Sequence, residues 1–283
     1  MKLKKAVKVL LSCALVGALF TGCGGGDKPA AESGKEMTLG MITRLNATET
    51  KMAEILANVE HETGVDVAKF KPKFYDNLKL LQMGLESKSV DEISVYNCVA
   101  KYMTATNDKI EPVKDNVFSK LNDNFCFAVR KEDTQLRDDL NKAIDEMKSD
   151  GTLDRLVNEY ITNVDANNIP NVEIPMTEGA PAIKVGVTGD LPPLDLVTAD
   201  GKPAGFNTAM LAEIAKRLGR NIELVDIDSG ARATALASKQ IDVVFWAVVP
   251  NGKDIPEDID KPAGVELSTP YFKDDVAHLK LKP

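Results

Sequence analysis

An α/β fold in two related halves, each a mainly parallel sheet flanked by helices, is predicted by three features of this 283-residue sequence. The first is internal similarity. Leu85-Glu86-Ser87-Lys88-Ser89-Val90-Asp91-Glu92-Ile93-Ser94-Val95 repeats the pattern of Leu236-Ala237-Ser238-Lys239-Gln240-Ile241-Asp242-Val243-Val244-Phe245-Trp246: a helix end, a polar turn, an aspartate and an apolar strand. The second is strict alternation of strand and helix in the later half, which implies right-handed crossovers and a parallel sheet. The third is the stretch 163–181, with Asn167, Asn168, Pro170, Pro175, Gly179 and Pro181, which reads as a linker dividing the chain.

The later half is the clearer. Ile183 to Thr188 is a short apolar strand and Asp190 to Pro193 a turn. Met210, Leu211, Ile214, Ala215 and Leu218 fall at helical spacing in Thr208 to Leu218, and Gly219 stops that helix. A strand over Asn221 to Ile227 and a helix over Arg232 to Ser238 follow. Ile241 to Val249 is nearly all apolar, as in a strand buried on both faces. In the earlier half, Thr38 to Thr43 matches Lys184 to Thr188 as a glycine-bearing opening strand. Helices over Thr50 to Thr63 and Asn77 to Glu86, and strands over Glu92 to Val95 and Asn124 to Val129, come next. Thr134 to Asn158 gives helices around Gly151.

The N-terminus reads as an export signal. Lys2, Lys4, Lys5 and Lys8 precede the mostly apolar Val9 to Phe20, too short to span a bilayer comfortably, and then Thr21-Gly22-Cys23. Gly24 to Gly34 has the composition of a flexible tether. The formal charge is −8, and loss of the four leader lysines would make the remainder more acidic still. Such a balance excludes nucleic acid as an expected partner. Cys13 leaves with the leader, so Cys98 and Cys126 are the thiols of the folded part, either free and buried or paired in an oxidising compartment. His61 and His278 are isolated, so no metal is expected.

Leu19-Phe20-Thr21-Gly22-Cys23 resembles the bacterial lipobox, with Phe20 where an aliphatic residue is usual; the alternative is an ordinary cleaved signal. The later half resembles the solute-binding proteins of amino-acid ABC transporters, the extracellular solute-binding proteins of family 3. The resemblance rests on Val185 to Leu194, Asp200 to Asn207, Ala235 to Val244 and Leu267 to Phe272, in that order. Phe127 to Asn141 and Lys148 to Leu153 resemble the same family's closing helices, which normally lie near the C-terminus. Here they come first, which implies a circular permutation; a truncated tandem protein is the competing account. The expected organisation is a signal over 1–22, a tether over 23–36, the second lobe over 37–115, a hinge return with closing helices over 116–162, the linker 163–181, and the first lobe with a final hinge strand over 182–283.

The resemblance implies a two-lobed periplasmic-binding-protein-like fold of class II and a monomeric, non-enzymatic protein without cofactor. It would hold a small polar solute, such as an amino acid, between the lobes for an ABC permease. A lipid on Cys23 would tether it in the cell envelope, on the outer face of the cytoplasmic membrane or in the periplasm. Ligands of such sheets bind beyond the carboxyl ends of the strands, which singles out Thr43, Arg44, Tyr96, Asn97, Ser229, Arg232, Trp246 and Ala247. By motif, Asp190, Leu191 and Leu194 would line the cleft and Phe206 support it, while Asn207 reads as a helix N-cap. The family's Thr-x-Thr-x-x-Arg carboxylate clamp is replaced by Ala247 to Asp254, leaving Arg232 and Arg44 as substitutes. Tyr96 stands near where an ammonium-binding acid is usual, which puts a zwitterionic ligand in doubt. Two other readings stay open: an enzyme of dehydratase type using Asp190 with Arg232, and a sensor acting without a transporter.

Overall fold

A computed structural model describes residues 36–283 apart from 64–65, 68, 115–117, 119–120 and 252–254. The leader, Cys23 and the tether up to residue 35 lie outside the described residues. The first half runs β1 (Met37–Ile42), α1 (Glu49–Thr63), β2 (Phe70–Tyr75), α2 (Leu78–Glu86), β3 (Glu92–Tyr96), α3 (Asn97–Thr106), β4 (Ile110–Pro112), β5 (Asn122–Arg130), α4 (Thr134–Ser149) and α5 (Thr152–Val157). A π-helical turn, Asn158–Thr162, ends it. The second half runs β6 (Ala182–Val187), β7 (Asp190–Leu191), β8 (Asp195–Val197), β9 (Pro203–Ala204), α6 (Phe206–Leu218), β10 (Asn221–Asp226), α7 (Arg232–Ala237), β11 (Val243–Pro250), β12 (Val265–Leu267) and β13 (Phe272–Leu281). Residues 163–181 contribute only an isolated bridge between Asn171 and Ala204.

The main strands follow one path, β10-β6-β11-β5-β13-β3-β1-β2. At one end β10, β6 and β11 are parallel, and at the other β2, β1 and β3 are parallel. The two parallel sets are joined through the antiparallel strands β5 and β13. Phe272 to Asp275 of β13 pair with β5, and Val276 to Leu279 pair with β3, so this one strand belongs to both lobes. Helix α2 packs on β1, β2 and β3, whereas α4 from the first half packs on β5 and α6. The first half thus supplies helices to the lobe formed by the second half.

The internal similarity is conformational as well as sequential. Lys88 and Lys239, at equivalent places, are the two non-glycine residues with positive φ among those described, 58° and 62°. The helix before each ends in the same bonds: Ser87 N–H to Met83 O (2.9 Å) and Ser89 N–H to Gly84 O (2.9 Å) match Ser238 N–H to Thr234 O (2.9 Å) and Gln240 N–H to Ala235 O (3.0 Å). Asp91 and Asp242 then each exchange bonds with the neighbouring opening strand, at Thr38 and Lys184. The glycine of that strand also has the same task. A Cβ on Gly40 would lie 2.8 Å from Leu81 Cδ1, and one on Gly186 would lie 2.7 Å from Ile241 Cδ1, so each glycine makes room for an aliphatic side chain.

Several elements depart from the expectation. Strand β2 carries Pro72 and survives because it is an edge strand, where one row of N–H groups faces outward. Helix α3 starts directly at the end of β3; its N-cap residue Tyr96 makes no capping bond, and Asp274 Oδ2 accepts Cys98 N–H (2.9 Å) in its place. Asp190 to Pro193 is more than a turn, since Asp190–Leu191 pairs with β8 in a small antiparallel sheet. Asn207 is not an N-cap: Gly205 holds that place, and Asn207 lies fully buried within α6 with no side-chain partner among the described residues. Cys98 and Cys126 are both buried and free.

Candidate functional site

The carboxyl ends of β1 and β3 meet β7 and the middle of β11 beside the crossing strand β13. Between them lies a small cavity of about 30 Å³. Arg44, Tyr96, Leu191 and Trp246 line it together, two from each half, with aliphatic walls that include Met41, Ile42, Val95 and Val276. Met41, Arg44, Ser94 and Val276 also border a larger apolar space of about 90 Å³ against α1. Tyr96 and Trp246 are buried, and Trp246 Nε1 finds no acceptor among the described residues.

Arg232 opens α7 and is 1% exposed. Its Nε donates to Ser229 O (3.1 Å), Nη1 to Trp246 O (2.6 Å) and Nη2 to Thr43 O (3.0 Å). The guanidinium carbon lies 4.1 Å from the centre of the Trp246 ring, in cation–π contact. Burial brings its pKa down to about 10, so it stays charged at neutral pH. Three donors that could clamp a carboxylate are spent on carbonyls, one of them in the opposite lobe.

Arg44 is also engaged. Its Nη1 lies 3.3 Å from Asp123 Oδ2, and that oxygen accepts the Tyr96 hydroxyl at 2.7 Å. Asp123 is on β5 opposite Asp274 of β13, at the place where the chain passes between lobes. A second carboxylate, Asp260, is fully buried. It accepts Asn46 N–H (3.0 Å) and Val248 N–H (3.1 Å). Burial raises its pKa, opposed by the charges of Arg44 and Arg232 and by those two bonds. Both acids escaped the sequence reading. Asp123 carries a faint signal as an acid opening an apolar strand; Asp260, in the run Glu257-Asp258-Ile259-Asp260, carries none.

Asp190 reaches across to the start of α2, where its Oδ2 accepts Lys79 N–H at 3.3 Å. Burial raises its pKa, the α2 N–H groups lower it, and Asp195 and Asp226 raise it again. Ser229 N–H donates to Asp76 O (3.1 Å), and Thr43 Oγ1 donates to Tyr75 O (3.1 Å) and Asp76 Oδ1 (3.2 Å). Thr43, Asp190, Ser229 and Arg232 are therefore lobe-to-lobe contacts outside the cavity lining. Leu194, Phe206 and Ala247 are fully buried core, and Asn97 starts α3 part-exposed; none of these lines the cavity.

Among the described residues no group of three or more His, Cys, Asp or Glu could hold a metal, and no helix is long and apolar enough to cross a membrane. Curated proteins give no match to the sequence. Solved structures do: the ligand-binding core of GluR0 in complex with L-glutamate is 9% identical, covers 88% of this chain and 86% of that one, with a TM-score of 0.40. The ligand-binding component of an ABC-type import system from Staphylococcus aureus, with zinc bound, is 11% identical over 87% of this chain and 66% of that one, TM-score 0.40. The BvgS VFT2 domain of Bordetella pertussis is 12% identical over 87% and 80%, TM-score 0.37. The sequence matches the bacterial extracellular solute-binding proteins, family 3, over residues 37–163 and 183–253. With more than half of its length in that match, the chain belongs to this solute-binding family.

Proposed function

We propose that the protein captures a small solute in the cavity between its lobes and presents the closed form to an ABC importer. The observation that carries this reading is the meeting of Arg44 and Tyr96 with Leu191 and Trp246 around one cavity, beside the strand shared by both lobes. Two bodies joined by β5 and β13 can hinge, and a solute touching both favours the closed state by differential contact. The contacts Arg232 to Thr43, Ser229 to Asp76 and Lys79 to Asp190 would form on closure. A lipid on Cys23 would hold the protein on the outer face of the cytoplasmic membrane or in the periplasm, and Cys23→Ala should release it from the membrane fraction.

The halves stand in an order rearranged relative to the family, as a circular permutation would leave them. Supporting this, α4 and α5 precede β6 in the chain, yet α4 packs on α6 and on β5 beside β11.

The test is a melting-temperature screen of residues 27–283 against amino acids, peptides, organic acids, amides and alcohols, since a ligand selective for the folded state raises the midpoint. Hits should be lost in Tyr96→Ala and in Leu191→Trp, which remove a wall and fill the cavity respectively. Hits retained in both variants would place binding elsewhere.

A further inference from the structure

Resting on that interlobe reading, we infer that the cavity selects an uncharged, apolar-bodied solute bearing a hydrogen-bond acceptor, because the charged groups beside the cavity already have partners within the protein. A carboxylate would need a cation without a counter-ion or with its donors uncommitted. Arg44 faces Asp123 at 3.3 Å, and Arg232 gives donors to three carbonyls at 2.6, 3.0 and 3.1 Å. The amide N–H of Lys79 at the start of α2 would be another anion seat, but the Asp190 carboxylate occupies it. An ammonium group would need an acid whose charge is not already met within the protein. Asp123 Oδ2 is shared by Arg44 and Tyr96, and Asp260 is fully buried with one backbone N–H on each oxygen.

Arg44 and Arg232 are set against Asp123 and Asp260, and the further acid, Asp190, rests on an N–H group of α2. A ligand charge brought here would be desolvated without gaining a counter-ion, and an arginine pulled from its aspartate would leave that acid buried and unpaired. What the cavity has instead is aliphatic wall from Met41, Ile42, Val95 and Val276 and two aromatic rings, one of which, Trp246, carries a buried donor, Nε1, with no acceptor among the described residues. A carbonyl, ether or hydroxyl oxygen would satisfy that donor, and the apolar remainder of the solute would fill the space.

Two matched probe sets test this by saturation-transfer NMR with competition: phenylacetamide, phenylacetate, phenethylamine and phenylalanine, and isovaleramide, isovalerate, isoamylamine and leucine. In the wild type the amide of at least one set should bind at least tenfold more tightly than its charged partners. Asp123→Asn keeps an acceptor for the Tyr96 hydroxyl while uncovering the charge of Arg44, so it should improve binding of the matching acid at least tenfold. The inference is overturned if an acid or amino acid binds the wild type as well as its amide, if neither amide binds, or if Asp123→Asn leaves the charge preference unchanged in a protein whose melting curve shows it folded. Amide binding that persists in Leu191→Trp would instead sink the interlobe site and leave the charge preference standing.

Discussion

Arg232 and Thr43, separated by 189 residues, meet at 3.0 Å where the guanidinium of one lobe donates to a carbonyl of the other. The same side chain fastens Ser229 and Trp246 within its own lobe, so one residue ties the cavity's tryptophan to the closed arrangement. Lysine keeps the charge but not the planar fork, and cannot reach three carbonyls while lying over a ring. Arg232→Lys should open the unliganded protein, with a larger radius of gyration by X-ray scattering and faster amide exchange at Ser229. Two lost charge-assisted hydrogen bonds would lower stability by about 3 kcal/mol. A variant with unchanged scattering and exchange would show that Arg232 does not hold the lobes together.

Asp190 gives a prediction about pH. Burial outweighs the favourable N–H groups of α2 and raises its pKa above the ordinary 3.8, so the folded state holds the proton more tightly than the unfolded chain. Its contribution to stability is therefore largest below pH 3.8 and declines as pH rises through the window above that value. In Asp190→Asn the amide oxygen still accepts from Lys79 without the buried charge. The variant should have a higher urea midpoint than the wild type at pH 7, and the gap should close towards pH 3.5. A lower midpoint at pH 7 would mean that the helix terminus stabilises the carboxylate more than burial penalises it.

Gly186 and Gly40 predict matched packing defects in the two lobes. Gly186→Ala places a methyl 2.7 Å from Ile241 Cδ1, an atom at the end of its side chain, so the cost should be near the low end for overpacking, ~1 kcal/mol. Ile241→Val removes that atom and should recover most of the loss in the double variant. The same pair of effects is expected for Gly40→Ala against Leu81. Purely additive costs in urea denaturation would dissociate the glycines from those neighbours.

The helices and the twofold repetition were legible because their signals are local: apolar spacing in α1 and α6, Gly219 after α6, and Asp91 and Asp242 at the same offset from a helix end. Pro72 hid β2, since whether a proline is tolerated depends on being at an edge, which no local window reveals. Four of the expected site residues do share a cavity: Arg44, Tyr96 and Trp246 were read from strand ends, and Leu191 from the resemblance. The state of the arginines was not legible. The partners of Arg44 and Arg232 are an acid 79 residues away and carbonyls 3, 14 and 189 residues away, and the last of these contacts exists only once the lobes face each other.

The proposed rearrangement of the halves can be undone in the laboratory. Strand β3 has β13 on one side and β1 on the other: Leu279 lies opposite Ile93, which lies opposite Gly40. Because β13 runs antiparallel to β3 and β1 parallel, the last residues of β13 and the first of β1 sit at the same Asp91 end of β3. Two strand spacings put these ends about 10 Å apart, a gap that a linker of about six residues spans. A chain opened between Pro175 and Met176, with Pro283 joined to Glu36, would restore the order expected of the family. Its cut falls where the structure has no helix or strand and Met176 is 75% exposed. Such a protein should fold with the circular-dichroism spectrum of the original and melt within a few degrees of it, because every strand pairing survives. Failure to fold, with the same linker tolerated between Pro175 and Met176 in the original order, would mean that the present order of the halves is required by the fold.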